Sequence, residues 1–146
     1  MNRTSVYLSR DKARGMEALQ GTPVPAVFCD AVRVELAECV LLYISGITAL
    51  DEHHRLAGRT MREQTRQVLE NLKRVVEHAG GTMDDIVRVR VYVTQLDQHS
   101  LRDVHEVRAG YFTEGKYPAS TLVRVDQLVR DGGLIEIDAD AVIARR

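Results

Sequence analysis

The residues that can do chemistry are few. Glu136 and Asp138 stand two apart in the alternating run Leu134-Ile135-Glu136-Ile137-Asp138-Ala139, so both carboxyls share one strand face and can couple in titration. A chemical role and a structural hydrogen-bonding role for Glu136 fit the pattern equally well. His53-His54 is an adjacent pair in a polar stretch. On extended backbone their rings point to opposite sides, which is poor geometry for sharing a metal, so a solvated turn is expected. His105 on the second helix and His99 just before its cap both read as surface residues. Cys29 and Cys39 form no CxxC pair and no disulfide framework. No cation or base stands near Cys29 in sequence, so both thiols are expected to pack as small hydrophobes in a reducing compartment. There is no glycine-rich phosphate loop and no defensible Ser-His-Asp order. Neither metal nor cofactor is expected.

The elements that hold these residues belong to one domain of 146 residues. Apolar residues at 45% and charged residues at 28% give the composition of a soluble globular protein. The net charge of −1 supplies no single-signed field for nucleic acid or an anionic membrane, and 5% aromatics without tryptophan make a poor base-stacking surface. No run approaches ~18 consecutive apolar residues, and the N-terminus carries no apolar signal-peptide core. A cytoplasmic protein with no nucleic-acid or membrane partner is expected.

Residues 1–25 read as a polar N-terminal extension that orders against a partner or subunit, with a weak helical pattern over 9–19 and a Pro23/Pro25 break. Residues 26–146 form the domain. Residues 27–36 alternate as a half-buried strand, and 40–44 form a continuous apolar strand, buried on both faces. A polar turn at 51–55 makes the segments around it a hairpin. Thr65, Val68, Leu69, Leu72, Val75, Val76 and Ala79 define one face of a helix over 61–79, stopped by Gly80-Gly81. Residues 86–93 form a strand with Val87, Val89, Val91 and Val93 on one side and Arg88, Arg90 and Tyr92 on the other. A second helix starts at a Ser100 cap with Asp103 in the reciprocal position, buries Leu101, Val104, Val107 and Tyr111, and ends near Phe112. Strands at 121–125 and 134–143 follow. The order predicts an α+β fold, two helices on one face of a mixed sheet. The Arg88/Arg90/Tyr92 face is then either solvated or a subunit interface with a wet, charged centre.

The ordered motifs resemble the RidA (YjgF-like) family of reactive-intermediate imine/enamine deaminases. Tyr43-Ile44-Ser45-Gly46-Ile47 resembles its strand-ending Ser-Gly motif, and Gln64-Thr65 through Asn71-Leu72 its Gln-Thr/Ala-x-x-x-Leu-x-Asn-Leu helix. Ala79-Gly80-Gly81 with Asp85-Ile86-Val87-Arg88, Tyr92-Val93-Thr94-Gln95-Leu96, Tyr117-Pro118-Ala119-Ser120 and the Glu136/Asp138 run resemble its later signatures. The resemblance implies a chorismate-mutase-like fold and a homotrimer whose three sheets close a barrel, with Arg88, Arg90 and Tyr92 turned inward. It also implies cofactor-free hydrolysis of imines or enamines in clefts between subunits.

Carried over residue by residue, the resemblance puts Ser120 where the family's Pro-Ala-Arg arginine forks onto a substrate carboxylate. A serine makes no bidentate charged contact. Losing two such hydrogen bonds weakens carboxylate binding by roughly two to four orders of magnitude. Asp138 takes the place of the acidic residue that activates water, with Ser120 positioning polar atoms beside it. Phe28, Ser45, Gly46, Asp97, Leu122, Arg124 and Glu136 complete the expected substrate-binding set. Such a cleft favours a neutral, cationic or less carboxylate-dependent ligand. Arg124 lies roughly 13 Å along the strand from Ser120, too far to stand in directly. Arg33, Arg88 or an arginine from a neighbour's extension are the alternative cations. The expected function is a pathway-specialised enzyme, of the kind found in secondary metabolism, acting on an imine, enamine or related hydrolysable or tautomerisable small molecule. The alternatives are a non-catalytic ligand-binding or protein-protecting trimer, and a structural or partner-regulating module.

Overall fold

A computed structural model of the chain describes residues 1–8, 16–19 and 22–145. In it β1 (Asn2–Val6), β4 (Ala31–Glu35), β5 (Cys39–Ile47), β6 (Ile86–Val93), β7 (Ala119–Arg124) and β8 (Ile135–Ala144) form one six-stranded mixed sheet. The strand order is β1-β4-β5-β8-β6-β7, and β2 (Met16–Leu19) pairs with β3 (Thr22–Pro25) in a separate ribbon. Among the described residues two α-helices, α1 (Met61–His78) and α2 (Gln98–Ala109), are present. Helix α1 packs on β5 and β8, and α2 packs against α1. Among the described residues only β6 and β7 run parallel, joined by the α2 crossover, as a parallel pair requires. The α+β architecture with helices on one face of a mixed sheet is the one expected.

Helix α1 begins in a capping box. The Glu63 amide donates to Thr60 Oγ1 at 3.2 Å while the Thr60 amide donates to Glu63 Oε2 at 3.2 Å, which satisfies two orphan donors. It ends where Gly80, at φ 91°, lets the Gly81 amide return to the Val76 carbonyl at 2.9 Å. Its buried stripe of Val68, Leu69, Leu72, Val75 and Val76 meets the inward rows Val40, Leu42, Ile44 and Ile135, Ile137, Ala139, Ala141 of the sheet. At the end of the core Gln64 is 1% exposed. Its Nε2 donates to the carbonyls of Gly58 at 3.2 Å and Gly132 at 2.9 Å, and its Oε1 accepts from the Leu134 amide at 2.7 Å. The three bonds tie α1 to the entry of β8.

Several local expectations are corrected. The second helix is capped by Asp97, whose Oδ1 accepts from the Ser100 amide at 2.9 Å; Ser100 sits buried in the first turn instead. The helix stops at Ala109, and Leu101 is exposed rather than buried. Val87 leaves the valine row because a bulge between Ile86 and Arg88 inserts one extra residue against β8, so Ile86 takes the inward place and Val87 is half exposed. Within the chain β5 is buried on one face only: Val40, Leu42 and Ile44 point inward, while Tyr43 is half exposed on the other side. The 51–55 turn forms, with Asp51 Oδ1 accepting from the His53 and Arg55 amides, but a single Leu50–Leu56 bridge replaces the hairpin. The first residues of the extension join the sheet, where β1 pairs with β4 at its edge. Of the weak helix expected over 9–19, residues 9–15 lie outside the described residues, and Met16–Leu19 is strand.

Candidate active-site cavity

A cavity of about 370 Å³ opens where β5 ends. Phe28, Asp30, Gly46, Arg74, Arg130 and Glu136 are among its lining residues. The β5–β8 register slips between Ile44 and Ile47, and this irregularity turns Gly46 toward β8. The Glu136 carboxyl fills the space a side chain at Gly46 would need: a Cβ there would stand 1.9 Å from Glu136 Oε1. Glycine is therefore what allows the carboxyl to lie at the cavity wall. Burial first, and the neighbouring Asp138 charge second, push the Glu136 carboxyl above the usual glutamate range. A carboxyl so placed holds its proton closer to neutral pH and can both donate and accept it.

Ser45 shapes this wall without lining it. Its hydroxyl donates to the Cys29 carbonyl at 2.6 Å and its amide to the Asp30 carbonyl at 2.9 Å. The Phe28-Cys29-Asp30 segment is thereby fixed over the end of β5, with Phe28 half exposed at the mouth. Two contributors escape sequence reasoning. Asn71 on α1 donates from Nδ2 to the Thr48 and Leu50 carbonyls at 3.0 and 2.8 Å, holding the cavity's lip. Arg74, one helical turn away, also lines the cavity. The signal for Asn71 is a short amide on the buried side of an amphipathic helix.

Asp138 lies on the same outward sheet face as Glu136 but points into a different network. Arg90 Nη1 donates to Asp138 Oδ1 at 2.5 Å, Arg90 Nη2 to Asp140 Oδ2 at 2.9 Å, and the Tyr92 hydroxyl to Asp138 Oδ2 at 3.0 Å. Register explains it, since Arg90 stands directly opposite Asp138 on β6. The Asp138 bond, together with burial, raises the Tyr92 phenol.

The chain does not bring Ser120 and Asp138 together. Ser120, Leu122 and Arg124 pair with Val89, Val91 and Val93, so they occupy the helix-side face at the β7 edge, opposite the Glu136/Asp138 face. Leu122 packs partly onto the core, Arg124 is exposed, and Ser120 Oγ accepts from Arg108 Nη2 at 3.1 Å. Three strand spacings, about 14 Å, separate β7 from β5. Of the alternative cations, Arg33 is engaged by Glu35 and Arg88 is exposed on the outward face; neither lines the cavity.

Asp97 is occupied as the α2 cap, and the Ser100 amide is the main reason its carboxyl sits below the usual aspartate range. A depressed folded value means the cap stabilises above the unfolded value and fades as pH falls through the folded one. Asp97→Ala is expected to lower the melting temperature at pH 7, with the gap from wild type closing as pH falls below about 4. A pH-independent gap in calorimetry would contradict the capping role.

The sequence model of the family described as Endoribonuclease L-PSP matches residues 26–143. A RutC family protein from Pyrococcus horikoshii is 40% identical over 101 residues, spanning 68% of this chain and 77% of that protein. A solved structure from Mycobacterium tuberculosis, described as a member of the highly conserved YjgF/YER057c/UK114 family, is 31% identical. It superposes with a TM-score of 0.72 over 97% of this chain and 100% of that one. RidA from the Antarctic bacterium Psychrobacter is 31% identical, with a TM-score of 0.68 over 87% of this chain and 99% of that one. The fold, the matched span and these identities together place this chain in the RidA/YjgF-like (Endoribonuclease L-PSP) family.

Proposed function

We propose that the protein hydrolyses an imine, enamine or related small molecule, with Glu136 as the proton-transferring group. The observation that carries this reading is the half-buried Glu136 carboxyl, raised in pKa, at the wall of a cavity sized for a small metabolite. The acid–base role thus passes from Asp138 to Glu136. Asp138 is engaged by Arg90 and Tyr92, and acts on the site through its charge on Glu136. In the reaction an enamine takes a proton at carbon to give an iminium. Water adds to the iminium carbon while Glu136 accepts a water proton, and the carbinolamine expels the amine as it is protonated. A ketone and ammonia result, and no cofactor enters the balance.

The working unit we propose is a homotrimer with the cavity completed at a subunit boundary. The outward sheet face supports this, with half-exposed Tyr43, Val123 and Val142 around the Arg90–Asp138–Asp140 cluster. An arginine shared in a barrel interior is costly unless acids answer it, and here two do. The β7 edge, too far to reach the cavity of its own chain, would then complete the cavity of a neighbour.

Imines generated in situ by an amino acid oxidase, with ammonia release followed against a buffer control, test the chemistry. Acceleration for at least one imine or enamine in a panel varied in side chain and charge is expected; none across the panel leaves only a binding protein. Light scattering tests the assembly. Three times the 16.4 kDa chain mass is expected, and a monomer that still turns over substrate would refute the intersubunit site.

A further inference from the structure

Arg74 lines the wall that α1 gives to the cavity, one helical turn beyond Asn71. Among the described residues no carboxylate pairs with it. The two acids that α1 places within its reach are engaged elsewhere. Glu70, one turn before, accepts from the Tyr111 hydroxyl at 2.7 Å, and Glu77, one turn after, pairs with Lys73 at 4.0 Å. The acids that line the cavity are answered too. Asp30 accepts from the Leu8 amide at 2.7 Å, Asp51 accepts from the His53 and Arg55 amides, and Glu52 pairs with His53. Burial favours the protonated form of Glu136. Arg130 adds a second cation to the lining. His54 lines the same cavity from a backbone φ of 59°. Among the described residues every other positive φ belongs to a glycine, at Gly58, Gly80, Gly115 and Gly132. The turn around Asp51 accounts for the reversal of the chain, but not for an imidazole at a position that favours glycine. Turn and helix are tied to each other here. Asn71 Oδ1 accepts from Gln67 Nε2 at 2.9 Å, which aims Nδ2 at the Thr48 and Leu50 carbonyls, just before the turn that carries His54.

We propose that Arg74 and His54 form an anion subsite on the helix wall of the cavity, holding an oxyanion of the substrate away from the carbon that Glu136 serves. Arg74 presents its planar fork to two oxygens, and the His54 imidazole donates one N–H beside it. This rests on the reading of the cavity as a small-molecule site, and it names the substrate class: an imine or enamine whose side chain ends in a carboxylate or a phosphate. The subsite draws on α1 and the 51–55 turn, not on the β7 edge. An anionic side chain departs from the neutral or cationic preference that Ser120 alone suggests.

The probes are butyrate, propyl phosphate and the neutral butyramide, titrated calorimetrically into the assembled protein. At least one anion is expected to bind about 10-fold or more tightly than butyramide, and the tighter of the two tells a carboxylate from a phosphate class. Arg74→Gln should weaken that anion about 10- to 100-fold and leave butyramide unchanged. Arg74→Lys keeps the charge without the fork and is expected to bind between wild type and Arg74→Gln. Arg66→Gln removes the same charge from another exposed position of α1 and should change binding by less than about twofold, since solvent screens it. His54→Gly suits the left-handed backbone and removes the donor. It should weaken the anion several-fold without lowering the melting temperature, whereas a merely structural histidine would leave binding unmoved. Equal binding of the anions and butyramide, or equal losses in Arg74→Gln and Arg66→Gln, would overturn the subsite. Absence of imine hydrolysis with anion binding intact in wild type and lost in Arg74→Gln would instead count against the proposed reaction alone.

Discussion

Glu136→Gln is expected to lower the turnover of any accepted imine by about 10²–10⁴-fold, the usual worth of a positioned acid–base group. The amide fills the notch left by Gly46 but neither takes nor gives a proton. Assembly and fold should survive. The raised folded value of Glu136 means that its contribution to stability is present below the unfolded value and lost as pH rises through the folded one. Removing the charge should therefore leave the melting temperature at pH 7 equal to wild type or above it. Asp138→Asn separates the two carboxyls. Asp138 raises Glu136, so removing its charge lowers Glu136, and the acidic limb of the pH–rate profile should move to lower pH. Turnover should fall less than in Glu136→Gln, because Arg90 keeps Asp140. Equal losses in both variants with an unmoved limb would return the proton-transfer role to Asp138.

How far the sequence exposes this site depends on the range of the interactions involved. The inward valines of β6 and the stripe of α1 are set by local periodicity, and the structure agrees with them from Val89 onward. Val87 departs because a bulge is a property of two strands, and the partner strand lies about fifty residues away in sequence. The same limit hides the strand order. Glu136 and Asp138 share a face in any alternating strand, but only the neighbours decide which does chemistry. Arg90 stands opposite Asp138 and claims it, whereas Glu136 meets a glycine at the irregular end of β5. Ser120 is legible as a missing arginine. The Arg108–Ser120 contact is not legible, because it joins a helix end to the start of the next strand across a loop. Ser100 reads as a cap in sequence although Asp97 offers an equally good acceptor three residues earlier, and the hydrophobic pattern of a short helix does not choose between them.

The largest stability effect is expected far from any reacting atom, at Gln64. Its side chain is buried and satisfies three backbone groups from two separate loops, the Gly58 and Gly132 carbonyls and the Leu134 amide. Gln64→Leu keeps the volume and helix preference but strands all three. Each lost bond, with the desolvated group it leaves behind, adds up to a loss of about 3–5 kcal/mol. That corresponds to a melting temperature lower by roughly 10–15 °C. Gln64→Glu should fare no better, since a carboxylate can accept from Leu134 but cannot donate to two carbonyls, and its charge is buried. The consequence reaches the site because Leu134 leads directly into β8, two residues before Glu136. Turnover in Gln64→Leu should therefore fall even at temperatures where the protein remains folded, through misplacement of the Glu136 carboxyl. Thermal unfolding and turnover measured on the same sample check both halves. A melting temperature within a degree or two of wild type would mean that water or another side chain already satisfies those loops, and that β8 is positioned by its register with β5 and β6 alone.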